Sequence, residues 1–111
     1  MSVEEAGRLA GLTGPPRREP TDILRSRYDR LTREIDPPLA LVDLDAFDRN
    51  AADMTRRAAD RPIRVATKSV RCRYLIERAL AKPGYQGLMC YSLPEALWLN
   101  ALGTSDDLLV A

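Results

Sequence analysis

The chain has no histidine, one tryptophan, one phenylalanine and only two cysteines. Without histidine, neither Ser-His-Asp nor Cys-His chemistry can be assembled within it, and the commonest ligand of catalytic zinc is missing. No metal site is therefore expected. Cys72 and Cys90 match no zinc or redox spacing, so two buried or half-buried thiols are expected rather than a disulfide. No apolar run approaches the ~18 residues that a membrane span requires. The first 14 residues lack the basic start and apolar core of a secretory signal. A net charge of +1 gives no reason to expect a nucleic-acid or membrane surface. The expected compartment is the cytoplasm.

What is present is a 111-residue chain with 45% hydrophobic and 30% charged residues, enough for one small globular domain. Residues 1–20 carry Gly11, Gly14, Pro15, Pro16 and Pro20 and read as a flexible lead with one weak helical turn. Residues 21–36 read as a leading amphipathic helix. Leu24, Tyr28, Leu31 and Ile35 share one face, Thr21 or Asp22 caps the start, and Pro37-Pro38 stops it. Leu39 to Asp43 reads as a short apolar strand, and Asp45 as the cap of a helix whose apolar face is Phe47, Ala51, Met54 and Ala58.

From Ile63 the pattern becomes regular. Ile63 to Thr67 is a strand with Lys68 at its carboxyl end; Leu75, Ile76, Ala79 and Leu80 mark a helix. Gly87 to Tyr91 is a strand, Ser92 and Glu95 form a capping box with Pro94 in the first turn, and Gly103 stops that helix. Asp107 to Ala111 is a further strand. The strand ends at Lys68, Tyr91 and Ala111 are 23 and 20 residues apart. Such strand-helix-strand spacing predicts an α/β fold with a parallel sheet and right-handed crossovers. Apolar strands of this kind are expected to be buried on both faces.

The expected architecture for residues 37–111 is the first strands of a (β/α)8 TIM-type barrel. A whole barrel needs about 250 residues, whereas three barrel strands and one earlier strand are counted here. The chain is therefore expected to be a truncated portion of one; the competing reading is a small open α/β domain.

Of the 17 basic residues only Lys68 and Lys82 are lysine. Arginine cannot form a Schiff base because its guanidinium stays protonated, whereas a desolvated lysine amine can. Sites of parallel α/β folds lie at the carboxyl ends of strands, which is where Lys68 falls. A lysine snorkelling from a strand end fits the pattern equally well. Lys82, before Pro83, suits a helix C-terminus and is given no catalytic role.

Leu39 to Asn50 (LALVDLDAFDRN), Arg64 to Arg73 (RVATKSVRCR) and Tyr91 to Ala96 (YSLPEA) resemble, in that order, the opening of fold-type III pyridoxal-phosphate (PLP) enzymes. These include the alanine racemase N-terminal domain, D-threonine aldolases and the amino acid deaminase/aldolase group, the last being nearest. Ser69-Val70-Arg71 departs from the racemase and D-threonine aldolase patterns after the lysine. The resemblance implies PLP as cofactor, with Lys68 as the catalytic, Schiff-base residue. It also implies an amino acid substrate and cleavage of a bond at Cα by a lyase or deaminase. Tyr91 could line the cofactor pocket or be an ordinary half-buried aromatic. Arg71 could offset cofactor charge or simply face solvent.

The resemblance leaves a homodimer open for the intact protein, and the 111-residue stretch alone is expected to be inactive and to bind PLP weakly or not at all. The alternatives are a non-catalytic PLP-carrier barrel or an amino acid racemase. An interaction module using the Arg-rich helix from Arg25 to Arg33 ranks last, because acidic residues interleave with its arginines.

Overall fold

The computed structural model describes residues 19–111, so most of the expected N-terminal lead lies outside the described residues. The described residues belong to two compact units, one ending at Leu44 and the other beginning at Asp45.

In the first unit, helix α1 (Thr21–Thr32) starts directly after Pro20, which holds the cap position without a side-chain cap. Thr21 and Asp22 are therefore first-turn residues rather than caps, and Asp22 puts negative charge where the helix dipole favours it. The helix stops several residues before Pro37-Pro38. Thr32 Oγ1 donates to the Tyr28 carbonyl at 2.8 Å. The expected apolar face is only partly used: Leu24 and Tyr28 are half-buried, while Leu31 and Ile35 are exposed. Polar contacts hold this unit instead. Asp43 Oδ2 accepts from Arg27 at 2.8 Å and from the Tyr28 hydroxyl at 2.7 Å. Leu39 to Asp43 is not a strand. Leu39, Leu41 and Val42 are exposed, and among the described residues the segment has no sheet partner. Apolar β-formers define a strand only when a neighbour accepts their backbone groups.

The second unit takes in helix α2 (Leu44–Ala58) from Asp45 onward. The helix starts one residue before Asp45, which lies in its first turn. Three strands follow, β1 (Ile63–Ala66), β2 (Tyr85–Cys90) and β3 (Leu108–Val110), joined by helices α3 (Arg73–Leu80) and α4 (Leu93–Ala101). The sheet is parallel throughout, in the order β1-β2-β3. The unit is thus α/β, with each crossover helix returning the chain to the neighbouring strand.

Both crossover helices cover the same face. Val65 pairs with Leu88, so these two and Cys90 share a face, and they pack with Ile76 and Ala79 of α3 and Ala96 and Leu99 of α4. Phe47 of α2 and Val70 pack against this core. Asp48 of α2 anchors α3 by accepting from Arg78 at 2.9 and 2.7 Å, and Lys82 Nζ lies 2.8 Å from Oδ1, the oxygen that also takes Arg78 Nε. Lys82 is therefore an ion-pair partner, not merely a cation at a helix end.

The opposite face corrects the expectation of strands buried on both sides. Ala66, Met89 and Leu109 form a row across it, and Leu109 is about half exposed (49%). Arg64 lies along this row's amino-terminal side. Its Nη1 donates to Asp107 Oδ1 at 2.6 Å and approaches the Leu88 and Asp107 carbonyls at 3.2 Å. Gly87 makes that crossing possible. Between the Ile63–Tyr85 and Val65–Leu88 pairs β2 has one more residue than β1, and Gly87 absorbs the bulge at φ +68°. A Cβ there would lie 2.5 Å from Arg64 Nη1 and 2.6 Å from the Asp107 carbonyl oxygen. Glycine alone meets both demands.

Candidate functional site at the carboxyl ends of β1 and β2

Strand β1 ends at Ala66, earlier than Thr67. The Thr67 N–H still donates to the Met89 carbonyl at 3.0 Å, so sheet pairing persists for one more residue. The chain then turns. Ser69 N–H donates to the Ala66 carbonyl at 3.0 Å and Val70 N–H to the Thr67 carbonyl at 3.2 Å. Lys68 is the exposed middle residue of this turn. The reading that places a reactive amine here expected desolvation, whereas the structure leaves Lys68 open to solvent. Among the described residues its side chain has no ion-pair or hydrogen-bond partner.

Arg71 links the two site residues foreseen from sequence. Its Nε is 3.4 Å from the Lys68 carbonyl, and its guanidinium lies over the Tyr91 ring, 5.8 Å from the centroid. Tyr91 follows β2 and is largely exposed (65%). Lys68 and Tyr91 thus occupy neighbouring strand ends with Arg71 reaching both. A hollow lined by Leu80, Tyr85, Asn100 and Thr104 opens elsewhere, and neither Lys68 nor Tyr91 lines it.

Beneath the turn is a contact that the sequence reading missed. Thr67 is 1% exposed, and its hydroxyl donates to Glu95 Oε2 at 2.7 Å, with a longer approach of 3.3 Å to the Met89 carbonyl. A hydroxyl has one proton, so the shorter, charge-assisted bond dominates. The same Glu95 oxygen accepts the Tyr91 N–H at 2.8 Å. The capping box is therefore altered. Ser92 Oγ accepts the Glu95 N–H at 3.4 Å as expected, but the Glu95 carboxylate reaches Tyr91 and Thr67 instead of closing back on Ser92. The S-x-x-E spacing was visible; the second strand bound by its carboxylate was not. Burial, and then the Glu95 charge, push the Cys90 thiol pKa up, which keeps Cys90 a neutral core residue.

Among the described residues no group of three or more His, Cys, Asp or Glu side chains could hold a metal ion, and no helix is long and apolar enough to cross a membrane. The chain matches no protein-family model, no curated protein and no solved structure.

Proposed function

We propose that Lys68 is the attachment point for pyridoxal 5'-phosphate, and that this chain carries the lysine-bearing part of a PLP-dependent amino acid lyase or deaminase of the D-threonine aldolase kind. The observation that carries the reading is the contrast between the two lysines. Lys82 is engaged by Asp48 at 2.8 Å, whereas Lys68 is an exposed residue just past the carboxyl end of β1. That is where parallel α/β sheets bind their ligands.

The residues present fit the cofactor at three points. A primary amine can bond covalently to its carbonyl, which a guanidinium cannot. Arg71, whose Nε is 3.4 Å from the Lys68 carbonyl and whose guanidinium lies over the Tyr91 ring, supplies positive charge at these strand ends, suited to a phosphate-bearing ligand. Tyr91 offers a flat wall on the neighbouring strand. When bound, the cofactor supplies an electron sink for breaking a bond at the substrate Cα. The wider architecture we propose is the opening of a (β/α)8 barrel. Three strands in sequential order, with both crossover helices on one face, leave the Ala66–Met89–Leu109 face free to become the inside of a closed sheet.

The test is reductive trapping. The chain is equilibrated with PLP, then reduced with borohydride, digested, and mapped by mass spectrometry. Reduction fixes even a weakly populated adduct, so site preference is read rather than affinity. Pyridoxyl modification of Lys68 well ahead of Lys82 supports the proposal; modification of the two lysines in proportion to their exposure alone in the denatured chain would refute it.

A further inference from the structure

We infer that Glu95 is a positioning residue for Lys68, holding the lysine-bearing turn against the end of β2 through Thr67; the inference rests on the cofactor reading above. A three-residue turn that is largely exposed has little packing to fix it. The backbone ties Thr67 to Met89, and Ser69 to Ala66 and Val70 to Thr67 across the lysine, but of these only the first joins the turn to the neighbouring strand. The Glu95 carboxylate adds the one short side-chain bond at that point, 2.7 Å to a hydroxyl on a residue 1% exposed. Because one oxygen, Oε2, also takes the Tyr91 N–H at 2.8 Å, the strand ends that carry Lys68 and Tyr91 are clamped to a common point.

Capping alone does not explain this arrangement. An N-terminal glutamate that only capped α4 would be satisfied by backbone N–H groups. The bond to Thr67 crosses to another strand, 28 residues away, and contributes nothing to the helix. Its effect is to fix the residue immediately before the amine.

The experiment compares reductive PLP trapping at Lys68 with trapping at Lys82 in the same chain, for the wild type, Glu95→Ala, Glu95→Gln, Thr67→Val and the double variant Thr67→Val/Glu95→Ala. Lys82 is an internal reference that a general loss of structure would not leave behind. Losing a charge-assisted bond of this kind corresponds to about a tenfold fall in the Lys68:Lys82 ratio for Glu95→Ala and Thr67→Val. The double variant is expected to be no worse than Glu95→Ala, since both changes break one contact. Glu95→Gln, which keeps an accepting oxygen, is expected to recover most of the ratio. An unchanged ratio in Glu95→Ala and Thr67→Val, or additive losses, would overturn the inference.

Amide exchange at Thr67 and Ser69, measured by NMR without PLP, separates the two claims. If the wild type shows no preference for Lys68, the cofactor reading fails, and the clamp is judged on exchange alone. Faster exchange in Glu95→Ala than in Glu95→Gln sustains it, and equal rates overturn it.

Discussion

Gly87→Ala should be far more damaging than Gly103→Ala, and the difference follows from the surroundings. Both glycines have positive φ, +68° and +72°. Placing alanine in that left-handed region costs about 1–2 kcal/mol. At Gly103 nothing lies within 4 Å of the added Cβ, so that conformational cost is the whole effect. At Gly87 the Cβ would stand 2.5 Å from Arg64 Nη1 and 2.6 Å from both the Asp107 carboxyl carbon and its carbonyl oxygen. The arginine head can withdraw, but the carbonyl oxygen is backbone, and it accepts the Leu88 N–H at 2.9 Å. Relief therefore means pushing β3 away from β2 as well as losing the 2.6 Å Arg64–Asp107 bond. That pair is more than a third exposed on the Asp107 side, so its direct share is at most about 1 kcal/mol. The ladder distortion adds about 1–2 kcal/mol. The total for Gly87→Ala is about 2–5 kcal/mol, against about 1–2 kcal/mol for Gly103→Ala. Urea unfolding of the two variants and the wild type measures both, provided the m-value is unchanged. Equal losses would show that the close approach of Arg64 and Asp107 to Gly87 has no energetic consequence. Arg64→Ala should rescue Gly87→Ala only in part, because the carbonyl oxygen remains.

Leu88 is fully buried between α3 and α4, so Leu88→Ala should cost about 3–5 kcal/mol in the same assay; a loss below about 1 kcal/mol would mean that the helices do not seal this face. Arg78, then Lys82, hold the Asp48 carboxyl pKa down from 3.8 to about 2. A depressed folded-state pKa stabilises above the unfolded value and the stability is lost as pH falls through the folded one. The stability advantage of the wild type over Asp48→Asn should therefore be constant above pH about 4 and shrink between about 4 and 2; a pH-independent difference contradicts the ion-pair reading. Cys72 is exposed and Cys90 buried with its thiol pKa raised, so a thiol reagent should label Cys72 rapidly in the native chain and Cys90 only with unfolding. Equal labelling rates would contradict the placement of Cys90 in the core.

The regular part of this fold was legible because its periodicities are local. Leu75, Ile76, Ala79 and Leu80 announce the inner side of a crossover helix by spacing alone, and Pro94 and Gly103 bracket α4. The spacing of Lys68 and Tyr91 likewise placed both at strand ends, and in the structure they stand just past them, Lys68 two residues beyond β1 and Tyr91 one beyond β2. What failed were inferences that depend on partners distant in sequence. Leu39 to Asp43 has strand composition, but among the described residues no neighbour accepts its backbone. Thr67 and Glu95 are ordinary in isolation and matter only because β1 and α4 meet. Arg64 inside an apolar strand, with a glycine in the next strand, was a readable sign of a side chain crossing the sheet. Spacing could not show that its partner would be Asp107.

The proposed attachment point is the Lys68 amine, just past the carboxyl end of β1. Its most direct test is a PLP titration of the wild type and Lys68→Arg, followed by the visible absorbance that forms when a lysine bonds to the cofactor. Whatever band the wild type forms, however weak, is expected to bleach with borohydride and to be lost in Lys68→Arg, although charge is conserved and Lys82 remains. A band of equal intensity in Lys68→Arg contradicts the assignment of Lys68.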